Sequence, residues 1–215
     1  MRIALTIAGL LSLILVSTNQ AYMRLDSDPS PTTGTDDETS RGALNLMERG
    51  TSLEERWRQV PAIAAAFARR TDEQRAWHLA RLCYLKTLGT TLIPFDLAEI
   101  ALAETGGHGL EGKSVSPRGA LGVWQLMPYR AKSHGYTPED MTDDAKCADA
   151  AVKELLCKME MADGNLALAK RFYCGSGAEA RMYSVRIRRY HRELMSEMRS
   201  VTPRQALIGI DRLPS

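Results

Sequence analysis

The chain has little net charge: 28 Lys and Arg stand against 26 Asp and Glu over 215 residues, leaving +2. So small a surplus provides no general electrostatic grip on nucleic acid, and none is expected as a partner. The chain lacks any alternating apolar and polar run of useful length, which excludes a sheet-based fold. It has no internal repeat, which excludes a solenoid. Neither a CxxC nor an HxxxH spacing occurs among its four Cys and four His, so no metal site and no cofactor are expected. Its one long apolar run, Ile3 to Val16, is shorter than the roughly 20 residues that a membrane span requires.

That run follows Arg2 and fits a secretory leader at residues 1–21, with a cut after Ala21; an uncleaved N-terminal anchor is the alternative. Contact with a membrane is expected only through such an uncleaved leader. Residues 22–42 are acidic and rich in Ser, Thr, Asp and Pro, and read as a disordered linker. With 44% hydrophobic residues, the remainder can build one domain of ordinary size. Residues 43–92 are assigned to N-terminal helices packed on the catalytic domain, 93–200 to that domain and 201–215 to a C-terminal tail.

The pattern after the linker is helical throughout, an all-α fold. Leu53, Trp57, Val60, Ile63, Ala64 and Phe67 recur at helical spacing, with Pro61 as a kink or break. Thr71 and Gln74 form a capping box for a helix running toward Gly89. Further helices are expected from Pro128 toward Ser133, from a cap at Asp143 or Asp144 to about Ala162, from Asn165 to Tyr173, and over 178–200. The last carries Arg181, Arg186, Arg188, Arg189, Arg192 and Arg199, read as a solvated face or as a surface for an anionic polymer or membrane.

Four cysteines behind an export signal suggest two disulfides. Cys147 and Cys157 share a helix at about 15 Å separation, too far to bridge. The turn at 163–165 folds the next helix back toward Cys157. The expected pairs are therefore Cys157–Cys174 and Cys83–Cys147.

The chemistry centres on Glu104. Leu97, Ile100, Ala101 and Glu104 fall at i, i+3, i+4 and i+7, so the carboxyl lies on the apolar face of a short amphipathic helix. Desolvation raises the pKa of such a group and equips it as a general acid. A loop dense in Gly and Ser follows. Gly119 and Gly122 allow close approach of backbone to a sugar ring. Ser116 and Gln125 offer polar contacts to an amide-bearing sugar. Trp124 reads equally as cleft lining and as core, Met127 as core, and Tyr173 as a hydroxyl directed toward Glu104. His108 is an ordinary loop histidine.

Three segments carry a resemblance: Glu104-Thr105; the run from Ser116 to Pro128, SPRGALGVWQLMP; and Leu166 to Gly177, LALAKRFYCGSG, followed by Tyr183 and Val185. In this order they resemble the Slt-type lytic transglycosylases of the lysozyme-like superfamily, with their secretion-associated and phage relatives. That family shows an ES pair, then S-x-x-G-A-x-G-L-M-Q-x-M-P, then A-Y-N-A-G. The resemblance spans residues 93–190. Thr105 replaces the usual Ser, Val123-Trp124 stands where Leu-Met is common, and Cys174 replaces the Asn of the third motif.

The resemblance implies a lysozyme-like catalytic domain preceded by helices, acting on peptidoglycan glycan strands in the periplasm or at the cell wall. It implies cleavage of the β-1,4 bond between N-acetylmuramic acid and N-acetylglucosamine with formation of a 1,6-anhydro end, Glu104 serving as both acid and base. Ser116, Gly119, Gly122, Trp124, Gln125 and Tyr173 would bind substrate. A secretion, conjugation or phage assembly is the implied partner. A hydrolytic muramidase would need a second carboxyl, and Glu111, Glu139 and Asp140 are the nearest in sequence. A non-catalytic peptidoglycan-binding assembly module is the remaining alternative.

Overall fold

The computed structural model describes residues 51–175 and 177–200. The expected leader, linker and C-terminal tail, with residues 43–50, lie outside the described residues. Among the described residues seven α-helices follow in order: α1 (Leu53–Ala68), α2 (Glu73–Thr87), α3 (Pro94–Thr105), α4 (Pro128–Ser133), α5 (Asp144–Met161), α6 (Leu166–Cys174) and α7 (Ala178–Ser200). Single turns of 3₁₀ helix occupy Gly106–His108 and Glu139–Thr142. Among the described residues there is no strand, only isolated bridges at Val115–Leu121 and Leu121–Leu126. No helix among them is long and apolar enough to cross a membrane.

The helix starts follow local chemistry. Ser52 and Glu55 form a reciprocal capping box on α1. Asp143 accepts from the Ala145 and Lys146 amides at the head of α5, and Asn165 accepts from Leu168 at the head of α6. The cap of α2 is Asp72, which accepts from Arg75 N–H at 2.9 Å. The cap thus lies one residue after the expected Thr71 and is a single bond in place of the expected Thr71–Gln74 box. Helix α1 also runs through Pro61 without a break, because Pro61 and its neighbours Val60, Ala62 and Ile63 are all buried. Packing there outweighs the lost backbone hydrogen bond.

Helix α3 is the centre of the molecule. It packs against α1, α2, α5 and α7. Eleven of its twelve residues are buried and the twelfth is Glu104, partly buried. The sequence suggested an amphipathic helix; the structure shows one covered on all sides, as a helix apolar around most of its girth must be. Its first turn is tied down by α1: Gln59 Oε1 accepts from the Phe95 amide at 3.0 Å. The Arg56 guanidinium also binds the carbonyls of Thr87, Thr90 and Leu92, which closes the α2–α3 connection. Its last turn is tied by Thr105, whose hydroxyl donates to Val123 O at 2.7 Å. The helix bearing Glu104 is therefore fixed at both ends.

Candidate active site

Glu104 lines a cavity of about 720 Å³ between the C-terminal end of α3, the 116–127 loop, α6 and the start of α7. The loop is folded by its own hydrogen bonds. Leu121 and Leu126 exchange both backbone bonds, and Gly122 N–H reaches Ser114 O at 2.9 Å. Ser116 Oγ accepts from the Ala120 amide at 2.9 Å, while Gly119, at φ +82°, makes the turn between them. Gln125 has φ +50°, a left-handed conformation uncommon for a side-chain-bearing residue. Its amide nitrogen donates to Gly122 O at 2.7 Å, which holds the side chain beside the cavity.

Burial pushes the Glu104 carboxyl up from its ordinary value of 4.5 to about 7. Tyr183, then Arg186 and Arg130, work against that shift by favouring the charged form. Tyr183 is fully buried, and its hydroxyl has no partner at ordinary hydrogen-bond geometry among the described residues. The phenol lies close enough to the carboxyl for each to influence the other's ionisation. Arg130 is held by Glu154 at 2.9 Å and by Tyr173 O at 3.0 Å. Arg186 lies over the Tyr183 ring, 5.4 Å from its centroid. A carboxyl with this balance carries a proton near neutrality yet has cations and a phenol ready for the anion.

The expected site residues divide into two groups. Glu104, Ser116, Gln125 and Tyr173 all line the cavity. Gly119 shapes the turn beside it. Trp124 does not line it: the ring is fully buried and its Nε1 donates to Leu97 O at 3.0 Å, so it is a core residue that braces α3. Met127, expected in the core, forms cavity wall instead. Gly122 is a packing position. A Cβ there would strike the Met141 carbonyl oxygen and lie 2.6 Å from Cys147 Sγ, so its lack of a side chain serves the α5 contact and not a sugar. Tyr173 donates to Trp124 O at 2.8 Å; Tyr183, not Tyr173, presents its hydroxyl to the acid.

The disulfide expectation is overturned. Cys83, Cys147, Cys157 and Cys174 are all free thiols. Cys83 is fully buried, and Cys147 is buried against the backbone of Val123 and Trp124. Cys157 is exposed on α5, while Cys174 is half-buried and lines the Glu104 cavity. The thiol in the family's Asn position is therefore a cavity residue rather than an anchor. Of the second carboxyls considered, none of Glu111, Glu139 and Asp140 lines the cavity; Glu179 does, bound to Arg118 by two hydrogen bonds of 2.6 and 2.8 Å. Residues 130, 179, 183 and 186 approach Glu104 only through the packing of α4 and α7. Tyr183 had a sequence signal as the close of the third motif, and Arg186 only as one of the arginines of the last helix. Among the described residues, no group of three or more His, Cys, Asp and Glu could hold a metal ion.

A partly buried acid on a fixed helix, beside an open cavity walled by a Ser- and Gln-bearing loop, is consistent with a transglycosylase-type enzyme of the lysozyme-like class. The family model of the transglycosylase SLT domain matches residues 92–184. No curated protein matches the chain. The match takes in Glu104, the whole loop, α4 to α6 and Tyr183, and stops within α7.

Proposed function

We propose that this protein is an exported lytic transglycosylase that cleaves the bond between N-acetylmuramic acid and N-acetylglucosamine in peptidoglycan, with Glu104 as its single acid and base. The observation that carries this reading is the position of Glu104 within the SLT match: desolvated, with its pKa pushed up to about 7, and lining a cavity. Glu104 gives its proton to the glycosidic oxygen as the bond to C1 breaks. The resulting carboxylate then takes the proton of the muramic C6 hydroxyl, whose oxygen closes on C1. The product is a 1,6-anhydro end, and Glu104 is again protonated. Tyr183, Arg186 and Arg130 favour the carboxylate during the interval in which it carries charge. Ser116 and Gln125 contact the sugar from the loop. The peptidoglycan substrate, with the apolar N-terminal run, supports action in the periplasm or at the wall.

One observation favours a second reading, a hydrolytic muramidase: Glu179 is a second carboxylate in the same cavity. Its bidentate pairing with Arg118 holds its pKa below the ordinary range and makes it a poor proton acceptor. Replacement tests the assignment. Glu104→Gln is expected to abolish clearing of purified sacculi; clearing at the wild-type rate removes Glu104 as the acid. Glu179→Gln is expected to leave clearing intact, and its loss would favour the two-carboxylate mechanism.

A further inference from the structure

A second cavity, of about 650 Å³, lies between the start of α3, α6 and α7. Phe95, Leu166, Val185 and Ile187 line it with apolar surface. Val185 is 49% exposed. Beneath this surface is a buried charge cluster. Lys170 Nζ donates to Asp96 at 2.8 Å and to Glu99 at 2.6 Å, and His191 Nδ1 meets the other Glu99 oxygen at 2.8 Å. The two carboxylates are thus engaged by Lys170 and His191.

Arg188 and Arg192 also line the cavity; both are exposed, and neither is ion-paired among the described residues. With the carboxylates already matched, these two guanidinium groups leave the rim cationic. Val185, Ile187, Arg188, His191 and Arg192 all lie beyond the residues of the SLT match. The groove therefore combines the start of the SLT match with a part of α7 that lies outside it. None of its lining residues belongs to the Glu104 cavity.

We infer that this groove is a docking site for an acidic peptide segment of a partner protein, one that inserts one or two large apolar side chains between Asp or Glu residues. The apolar wall selects against a purely anionic polymer, which would gain from the arginines but leave that wall uncovered. The cationic rim selects against a neutral or basic peptide. The geometry matches groove recognition, in which apolar anchors provide affinity and flanking charges provide register. Docking there would place the enzyme beside an assembly without obstructing the Glu104 cavity.

The test uses the full chain and a display library of random dodecapeptides, counter-selected against the Val185→Asp variant. Recovered peptides should be enriched in Asp and Glu around Leu, Ile, Phe or Met. Fluorescence anisotropy of a recovered peptide should then show about tenfold weaker binding to Val185→Asp and to Arg188→Glu. Both variants should retain the wild-type melting temperature and rate of sacculus clearing. Absence of enrichment, enrichment of basic peptides or equal binding to Val185→Asp would overturn the inference. Binding of phosphatidylglycerol vesicles that is lost in Arg188→Glu but kept in Val185→Asp, without peptide enrichment, would overturn it in favour of a membrane surface. Sacculus clearing is read separately, so failure of the docking site is distinguishable from failure of the enzymatic reading.

Discussion

Replacing Glu104 by Gln should destroy activity and stabilise the fold. Gln keeps the shape of the side chain and cannot ionise. The native carboxyl releases its proton near pH 7, against an ordinary value of 4.5. Between those values the native state binds more protons than the unfolded chain, so wild-type stability falls as pH rises. Below that window the native and unfolded carboxyls are both neutral, and the penalty vanishes. Above it the penalty is fully present, at roughly 3 kcal/mol as an upper bound. For a domain of this size that corresponds to roughly 5–10 °C in melting temperature. Thermal unfolding of wild type and Glu104→Gln should therefore give similar midpoints near about pH 4 and a higher midpoint for the variant near about pH 8. A wild type that is equally or more stable at the higher pH would refute the reasoning. It would mean that Arg130, Arg186 and Tyr183 more than offset the cost of burying the charge.

The same carboxyl sets the pH range of the reaction. Turnover needs Glu104 protonated at the start, so kcat/KM for sacculus clearing should fall as pH rises through about 7. Tyr183→Phe removes a group that favours the anion and should move that falling limb to higher pH, read from the pH–rate profile. Gly122→Ala forces a methyl group onto the Met141 carbonyl and Cys147 at a positive φ, and should destabilise the fold by roughly 2–4 kcal/mol in denaturant unfolding. Thiol titration of the unfolded protein without reductant should count four free thiols, and native labelling should mark Cys157 first.

Much of this architecture is legible in the sequence because it rests on local signals. The apolar period of α3, the caps at Asp143 and Asn165, and Pro128 at the start of α4 each act within a few residues. Glu104 is legible for the same reason, since its neighbours at i−3, i−4 and i−7 fix which face it shares. What surrounds Glu104 is less so. Tyr183 and Arg186 reach it from α7, and Arg130 from α4, through packing that no local pattern encodes. Trp124 shows the limit well. An aromatic residue in this loop suits a cleft wall and a core equally from its sequence, and only packing decides that its indole N–H finds the Leu97 carbonyl inside the core. The cysteines failed for a related reason: helix order suggested proximity, but burial of Cys83 and Cys147 depends on which neighbours cover each thiol.

The central claim is that one carboxyl performs both proton transfers and that no water attacks the sugar. Digestion of purified sacculi in heavy-oxygen water, followed by mass analysis of the muropeptides, tests it directly. The account predicts anhydro ends, lighter than reducing ends by one water and free of heavy oxygen. Reducing ends that carry the heavy isotope would contradict it.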